Sequence, residues 1–412
     1  MASEDLEAVR QGFLASFVPA SPAPEQAWDR VDAPNGPYPR LSAELWTSKQ
    51  RQAASLHEVS YRACYKPQLP RHFIERLTQP GERVYDPFSG RGTTVLEAAL
   101  LGRRLAANDV NPLSRMLAEP RLTPPEPAAV ARRLAEIPRT GQADGLDLGM
   151  FFHPDTEAEI RGLRDWCLSR EVSGGLDAVD AWIRMVATNR LTGHSPGFFS
   201  VYTLPPNQAL TAEKQRQINA RRDQAPTYRD THALILKKTK QLLSGLGPDQ
   251  RRNLALAAQD ARFLTGDARA TAALPDGGVA LTVTSPPFLD VVDYAGDNWL
   301  RCWFNGLDAA AIGRAISTPR TVEAWSETMA GVFAELHRLT KRGGFVAFEV
   351  GEVRRGRLRL DEVVLPLGLG AGFRAHGVLV NRQAFTKTAH IWGVGNNDKG
   401  TNSNRIVLFE KG

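Results

Sequence analysis

Apolar and polar positions follow the rhythm of an α/β fold over residues 71–110. The helical run RHFIERLTQ stops at Pro80 and Gly81, and the apolar runs ERVYDPF and RLAANDV then flank the helical run VLEAALLGR. A strand, a turn, a helix and a second strand in this order form a βαβ unit. The pattern therefore predicts a parallel sheet.

The same rhythm returns near residue 261. ARFLTGDA and GGVALTVT each predict a strand, and TVEAWSETMAGVFAELHRLT predicts an amphipathic helix that ends at residues 341–344. FVAFEVG predicts a further strand, and GFRAHGVLVNRQAFT and NRIVLFEKG predict two more. The expected fold is a Rossmann-like α/β core with a mostly parallel sheet and a C-terminal strand pair.

Two regions lack this alternation. Residues 1–50 pass from a short helical pattern into a Pro-rich stretch, so we expect an arm outside the core. Residues 121–260 carry repeated 3.6-residue periodicity, which predicts a mostly helical insertion. The insertion divides the core into a first part, residues 51–120, and a second part, residues 261–412.

The composition is that of a soluble globular protein. The chain has 412 residues, of which 42% are hydrophobic and 23% charged, enough for a sizeable core. Cys64, Cys167 and Cys302 lack metal-ligand spacing, so we expect neither disulfides nor a metal. No basic-then-apolar leader opens the sequence and no long apolar run follows, which favours a cytoplasmic location.

The positive charge is unevenly placed. The net charge is +6, and residues 211–240 hold eight Lys and Arg against three acids. Such a run suits a polyanion, and it also suits the solvated face of a helix. The candidate contacts are Lys214, Arg216, Arg221, Arg222, Lys237 and Lys238.

The first candidate site is VYDPFSGRGTTVLEA. Asp86 ends a strand, and Gly90 and Gly92 bring bare backbone and N–H groups to the carboxyl edge of the sheet. Asp109 ends the next strand, where an acid can accept hydrogen bonds from ribose hydroxyls. Thr93 follows in place of a third glycine, which disfavours a dinucleotide and favours a nucleoside without a pyrophosphate. A turn that binds no ligand is the alternative.

The second candidate site is VALTVTSPPFLDVVDY. Pro286 and Pro287 restrain the backbone where a β-branched strand ends. The Ser285 hydroxyl and the Pro286 carbonyl can accept hydrogen bonds from an exocyclic amine, and the Phe288 ring can stack on a flat base. A plain turn is again the alternative.

Together, DPFSGRGTT and TSPPF resemble the two motifs of the amino DNA methyltransferases, which methylate the N4 of cytosine or the N6 of adenine. The resemblance covers about residues 55–120 and 261–412. It implies a class I methyltransferase core, S-adenosyl-L-methionine as cofactor and double-stranded DNA as substrate, with the target base flipped out. In such enzymes, Ser at the first position of the catalytic tetrapeptide, here Ser285 of the tetrapeptide Ser-Pro-Pro-Phe at 285–288, favours methylation of cytosine N4.

The resemblance also implies roles for single residues. Asp267 looks like the acid that meets the adenine amino group, and Lys66 and Pro67 look like part of the segment that closes over the methionine end. The expected cofactor-binding residues are Lys66, Pro67, Asp86, Phe88, Gly90, Gly92, Thr93, Asp109 and Asp267. The expected catalytic residues are Ser285, Pro286, Pro287 and Phe288. The six basic residues become candidate DNA contacts.

Three further hypotheses stay open. The base can be adenine, the substrate can be RNA, or the chain can be an inactive DNA-binding subunit. C5-cytosine chemistry is disfavoured because no cysteine follows a proline. A site-specific role in restriction–modification or defence is expected, with a separate restriction endonuclease as a candidate partner.

The segment that reads the DNA is also open. The insertion precedes Asp267 and does not adjoin the catalytic motif. Its aromatic fragment, residues 189–208, suits either DNA contacts or internal packing. Residues 293–299 and 384–405 are further candidates near the base.

Overall fold

A computed structural model describes residues 3–20, 25–46, 53–61, 64–203, 209–287, 294–316, 319, 321–353, 358–382 and 403–412. Its helices are α1 (Ser3–Ala15), α2 (Gln68–Leu77), α3 (Thr93–Leu100), α4 (Leu113–Ala118), α5 (Pro127–Glu136), α6 (Pro154–Val172), α7 (Ala178–Arg190), α8 (Ala212–Arg222), α9 (Thr231–Leu243), α10 (Pro248–Gln259), α11 (Tyr294–Phe304), α12 (Ala309–Ala315), α13 (Val322–Leu339) and α14 (Leu360–Gly370). Its strands are β1 (Ala27–Val31), β2 (Tyr38–Ala43), β3 (Arg83–Asp86), β4 (Arg104–Asp109), β5 (Arg262–Thr265), β6 (Val279–Thr284), β7 (Thr340–Val350), β8 (Glu352–Val353), β9 (Leu358–Arg359), β10 (Arg374–Arg382) and β11 (Ser403–Glu410).

The main sheet has the order β1-β2-β10-β11-β7-β6-β3-β4-β5. The strands from β7 to β5 run parallel to one another, and β11 lies antiparallel between β7 and β10. This topology confirms the predicted Rossmann-like core with a mostly parallel sheet and a C-terminal strand pair.

The strand order reverses between β3 and β6. From β3 the chain moves outward through β4 to β5, and it then returns to β6 on the other side of β3. Val84 pairs with Leu281 across this junction. In open parallel sheets a crevice forms at the carboxyl ends of the strands where the order reverses, and ligands bind there.

Helices cover both faces of the sheet, which explains the apolar central strands. All six residues of β6 are buried, as expected for a parallel strand with helices on both sides. The helices α2 and α3 pack within one apolar cluster, and α13 and α14 pack within another. None of the helices in the described ranges is long and apolar enough to cross a membrane.

The N-terminal region takes part in the sheet, contrary to the expectation of an arm outside the core. All six residues of β2 are buried, and β2 pairs in parallel with β10. Pro39 lies near the start of the strand, where a missing N–H is tolerated. The buried Arg40 guanidinium binds the buried Asp361 carboxylate at 3.1 Å. The many prolines of the N-terminal region therefore do not prevent one of its segments from pairing in the sheet.

The predicted insertion is helical, with α5 to α10 between β4 and β5. Its Trp182 and Ile183 belong to the same apolar cluster as Val84 of the sheet. The Arg184 Nε donates to the Asn305 Oδ1 at 2.7 Å, which joins α7 to the segment after α11. The helices of the insertion are therefore packed onto the core.

The junction after α13 differs from the prediction. The helix ends at Leu339, and residues 341–344 belong to β7. The Gly343 N–H donates to the Lys411 carbonyl at 2.8 Å, and the Lys411 N–H donates to the Gly344 carbonyl at 2.9 Å. Pairing with the C-terminal segment thus draws these residues into the strand.

The turn before α3 generates a stability prediction. Gly92 has φ +77°, and a Cβ there would lie 2.6 Å from the Ala118 Cβ. We expect Gly92→Ala to lower the free energy of unfolding by about 2–4 kcal/mol, through backbone strain plus overpacking. Gly81 has φ +85° with nothing within 4 Å of such a Cβ, so Gly81→Ala should cost only about 1 kcal/mol. Urea unfolding measures both free energies. Equal losses in the two variants would contradict the contribution assigned to overpacking against Ala118.

Candidate active site

The reversal point holds a cleft that is partly open to solvent. It lies at the carboxyl ends of β3, β4, β5 and β6, where ligand sites of such sheets occur. The cleft brings the two sequence motifs into one wall. Its lining includes Phe88, Gly90, Asn108, Asp109, Asn111, Asp267, Ser285, Pro287 and Trp325.

The glycine turn places its backbone against Asp109. Gly90 has φ +51°, and its N–H donates to the Asp109 Oδ2 at 2.8 Å. The Asn111 N–H donates to the other carboxylate oxygen at 2.9 Å. Burial raises the pKa of Asp109 to about 6, although these two N–H groups favour the charged form. Each Asp109 oxygen keeps a lone pair for a ligand hydroxyl.

Asp86 lies behind the cleft wall. Its carboxylate accepts from the Thr284 hydroxyl at 2.6 Å, the Tyr65 hydroxyl at 2.9 Å and the Phe88 N–H at 3.1 Å. Burial raises the pKa of Asp86, and these donors oppose the shift. Asp86 thus joins β3 to β6 and fixes where both motifs leave the sheet.

The other predicted cofactor residues differ in position. Asp267 lines the cleft, and the hydrogen bond from Arg269 lowers the pKa of its carboxyl. Thr93 is buried at the start of α3. Lys66 is exposed and Pro67 is buried ahead of α2, and neither is among the residues that line the cleft.

The catalytic motif follows β6 directly. Ser285 and Pro287 line the cleft, and Pro286 is buried. The Trp325 Nε1 donates to the Pro287 carbonyl at 2.9 Å, so α13 holds this segment in place. Phe288 lies outside the described residues.

Glu349 lies near the end of β7, beside Ser285. Its side chain is buried, and it accepts hydrogen bonds from the Ser285 hydroxyl and from the Asn404 amide, the latter at 2.9 Å. Burial raises the pKa of Glu349 to about 7, and these two donors oppose the shift. A carboxyl with this pKa can take up or release a proton near neutral pH.

Several residues around the cleft were not predicted from the sequence. Tyr61 lines it and contacts the Gly90 position, and Tyr65 donates to Asp86. Tyr65 begins the stretch YKPQLPRHFI that contains Lys66 and Pro67, and Tyr61 lies four residues before it. The sequence could have pointed to Glu349, because it is an acid near the end of a predicted apolar strand. It could not have pointed to Trp325, because the pattern around that residue is that of an ordinary amphipathic helix.

The candidate DNA contacts are split between two helices. The Arg216 guanidinium pairs with Asp147 at 2.8 Å, and that of Arg222 lies 3.8 Å from the Tyr202 ring centre. Lys238 is buried, in contrast to the other members of the set. The exposed members are Lys214, Arg216, Arg221, Arg222 and Lys237.

The remaining candidate segments are only partly described. Phe198 and Phe199 are buried in the insertion, so these two rings pack internally. His194 is exposed and Tyr202 is half-buried. Asp293, the side chain of Tyr294 and residues 383–402 lie outside the described part of the chain.

The sheet order and the position of the cleft define a Rossmann-like fold with a ligand site at the point where the strand order reverses. Residues 17–114 match a family model for N6 and N4 methyltransferases that is described as DNA methylase. This match supports the resemblance to the amino DNA methyltransferases in the segment that carries the first motif, and it does not separate the N4 from the N6 type.

Two proteins share sequence with this chain. Type II methyltransferase M.MvaI of Kocuria varians is 38% identical over 81 residues, which are 19% of this chain and 18% of that protein. Type II methyltransferase M.MjaII of Methanocaldococcus jannaschii is 30% identical over 83 residues, 20% of this chain and 16% of that protein. The chain thus matches less than a fifth of the length of each.

A solved structure is similar over part of the chain. TTHA0409 of Thermus thermophilus, a candidate DNA modification methylase complexed with S-adenosyl-L-methionine, is 23% identical. The match covers 35% of this chain and 53% of that chain, with a TM-score of 0.23. The Rossmann-like fold of this chain is shown by its sheet order.

The buried Glu349 gives a pH-dependent prediction. Because folding raises its pKa from 4.5 to about 7, its contribution to stability is lost as the pH rises through 7. We therefore expect Glu349→Gln to melt higher than the wild type at pH 8, and close to it at pH 4.5, in thermal unfolding followed by circular dichroism.

Glu335 provides the matched control. A hydrogen bond from Arg338 lowers the pKa of Glu335 to about 2, so its stabilisation is present above its ordinary value of 4.5 and is lost as the pH falls toward 2. Glu335→Gln should therefore melt lower than the wild type at pH 8. If both substitutions lowered the melting temperature at pH 8, the ionisation cost assigned to Glu349 would be wrong.

Proposed function

We propose that this protein transfers a methyl group from S-adenosyl-L-methionine to an exocyclic amine of a base in DNA. The observation that carries the proposal is the single cleft in which the glycine turn, Asp109 and the Ser285 segment meet. The confirmed match of residues 17–114 to the DNA methylase model supports it.

The cleft suits the proposed cofactor. Asp109 retains acceptor capacity for ribose hydroxyls, and the bare Gly90 backbone allows close approach. The Asn108 side-chain oxygen is buried and has no hydrogen-bond partner within the described ranges, so it can accept from an amine. Asp267 and the half-buried Phe88 would complete the nucleoside site. S-adenosyl-L-methionine, when bound, supplies a methyl group already activated by its sulfonium.

The chain's own residues then have to orient the target amine. The Ser285 hydroxyl donates to Glu349 and keeps its lone pairs free to accept an amine N–H. The Pro286 carbonyl is a second acceptor. Hydrogen bonds that accept the amine protons direct the nitrogen lone pair and favour the tetrahedral nitrogen of the transition state.

Glu349 offers a route for the proton. The amine nitrogen gains a methyl group and must lose one proton. Ser285 can take this proton while it passes its own to the Glu349 carboxylate. The carboxylate is buried and its pKa is about 7, so it can hold the proton and release it to solvent later.

Cytosine N4 is the proposed target, because the tetrapeptide begins with Ser. Adenine N6 is the alternative base on the same fold. We also propose a site-specific role in restriction–modification or defence with a separate nuclease, and the name Type II methyltransferase borne by both relatives supports it. An RNA substrate and an inactive DNA-binding subunit are the competing hypotheses.

The deciding experiment measures transfer of labelled methyl from S-adenosyl-L-methionine to duplex DNA and to RNA. Mass spectrometry of the digested DNA then identifies the nucleoside. We expect N4-methylcytosine in DNA. N6-methyladenine would overturn the choice of base, label on RNA alone would overturn the choice of substrate, and an absence of cofactor binding by calorimetry would indicate the inactive subunit.

Two substitutions separate the proposed roles. Ser285→Ala should lower turnover by about 100-fold or more and leave cofactor affinity nearly unchanged, because its contact is made to the amine. Asp109→Ala should weaken cofactor binding by about 10- to 100-fold, because it loses hydrogen bonds to a charged acceptor. Calorimetry with S-adenosyl-L-homocysteine and single-turnover rates measure the two effects. The reverse pattern would show that the roles are misassigned.

The exposed basic residues at the end of α8 give a separate prediction. Arg221→Glu together with Arg222→Glu should weaken duplex binding and flatten its dependence on salt, because fewer phosphate counterions are released. Arg252→Glu, an exposed reversal on α10 outside the basic run, is the control. Fluorescence anisotropy over a salt series measures both. An unchanged slope would assign the run to a solvated helix surface.

A further inference from the structure

A second cavity, which shares Tyr61 with the lining of the cleft, is open to solvent. Arg91 reaches it from the glycine turn, Arg190 from the end of α7 and Lys238 from α9. Glu58 is the acid among its lining residues. The cavity therefore carries a net positive charge from two separate parts of the chain.

Two of the three cations that line this cavity are largely buried. Arg190 is 8% and Lys238 is 6% exposed. Burial, together with repulsion from Arg301, lowers the pKa of Arg190 to about 10. Burial and repulsion from Arg190 also lower the pKa of Lys238. Buried like charges are costly unless an anion compensates them.

The Arg190 guanidinium has spare donors. Its Nη2 donates to the Asn189 Oδ1 at 2.8 Å, and its Nε is buried without an acceptor among the residues that the structure describes. The guanidinium lies 4.0 Å from the centre of the Phe198 ring, which fixes its orientation. A planar guanidinium held in this way suits a phosphate, which it can bind through two parallel hydrogen bonds.

Lys238 pairs with Glu58 and Gln241, two residues whose side chains are exposed. Its Nζ lies 3.3 Å from the Glu58 carboxylate and 3.2 Å from the Gln241 side-chain oxygen. The Glu58 side chain is about half-exposed, so it can yield its position to a stronger anion. Lys238 is thus available to a ligand that enters the cavity.

We infer that this cavity binds a backbone phosphodiester of the DNA substrate, held by Arg190 and Lys238 with Arg91 beside them. The inference rests on the proposed function and adds a specific site to it. Arg190 and Lys238 belong to the insertion and line this cavity, and neither is among the residues that line the cofactor cleft. This arrangement favours DNA over the carboxylate of the cofactor as the source of the anion.

The test uses four single substitutions and a fluorescein-labelled duplex of mixed sequence. Lys238→Gln and Arg190→Gln should each weaken binding by about three- to tenfold and lower the salt slope by about 1. Lys240→Gln removes the same charge from an exposed position on α9 and should change binding less. Glu58→Gln should tighten binding, because it removes the acid that competes with the phosphate.

The outcomes are separable. The expected gain for Glu58→Gln cannot arise from misfolding, and thermal unfolding checks the two loss variants. Unchanged duplex binding in Lys238→Gln and Arg190→Gln would overturn the phosphate site and leave the methyl-transfer proposal standing. If these two variants bound S-adenosyl-L-homocysteine more weakly and the duplex normally, the phosphate site would be overturned, and the cavity would be assigned to the carboxylate of the cofactor. A wild-type chain that neither binds nor methylates duplex DNA would overturn both proposals.

Discussion

The buried Asp86 carboxylate is the interaction on which the cleft depends. It receives hydrogen bonds from Thr284 at the end of β6, from Tyr65 ahead of α2 and from the backbone of the glycine turn. These three segments are far apart in the sequence and meet where the strand order reverses. A buried carboxylate without donors would cost several kcal/mol, so all three segments must adopt this arrangement together. Asp86 therefore places both motifs in one wall.

Two acids at the site, Asp109 in the cleft and Glu349 beside Ser285, differ from the structural acid Glu335 in the sign of their effect on folding. Burial raises the pKa of Asp109 and of Glu349, so ionising either one near neutral pH works against the folded state. Arg338 has the opposite effect on Glu335 and lowers its pKa. A neutral side chain would serve the fold better at the first two positions. Carboxyls kept at such a cost are typical of functional sites, which agrees with the roles proposed for them.

The parts of the fold that local pattern determines were predictable. The strands that end at Asp86 and Asp109 are short apolar runs followed by a polar residue, and their parallel pairing follows from the helix between them. Residues 38–43 were missed because their burial comes from pairing with β10, more than 300 positions later. The contact between Ser285 and Glu349 depends on the same long-range pairing, since β6 and β7 are neighbours only in the folded sheet. Spacing within one motif carries no information about such partners.

The insertion is joined to the core by buried contacts, and this matters for how DNA would be held. The Trp182 Nε1 donates to the Thr239 hydroxyl at 3.0 Å, which fixes α7 to α9. The Asn189 amide donates to the Ser60 carbonyl at 3.1 Å, which fixes the end of α7 to the segment beside the cleft. The helices that carry Arg190 and Lys238 are therefore anchored to each other and to the segment beside the cleft. A duplex held by them would present its bases near the cleft, so contacts made on the insertion could offset the cost of flipping one base.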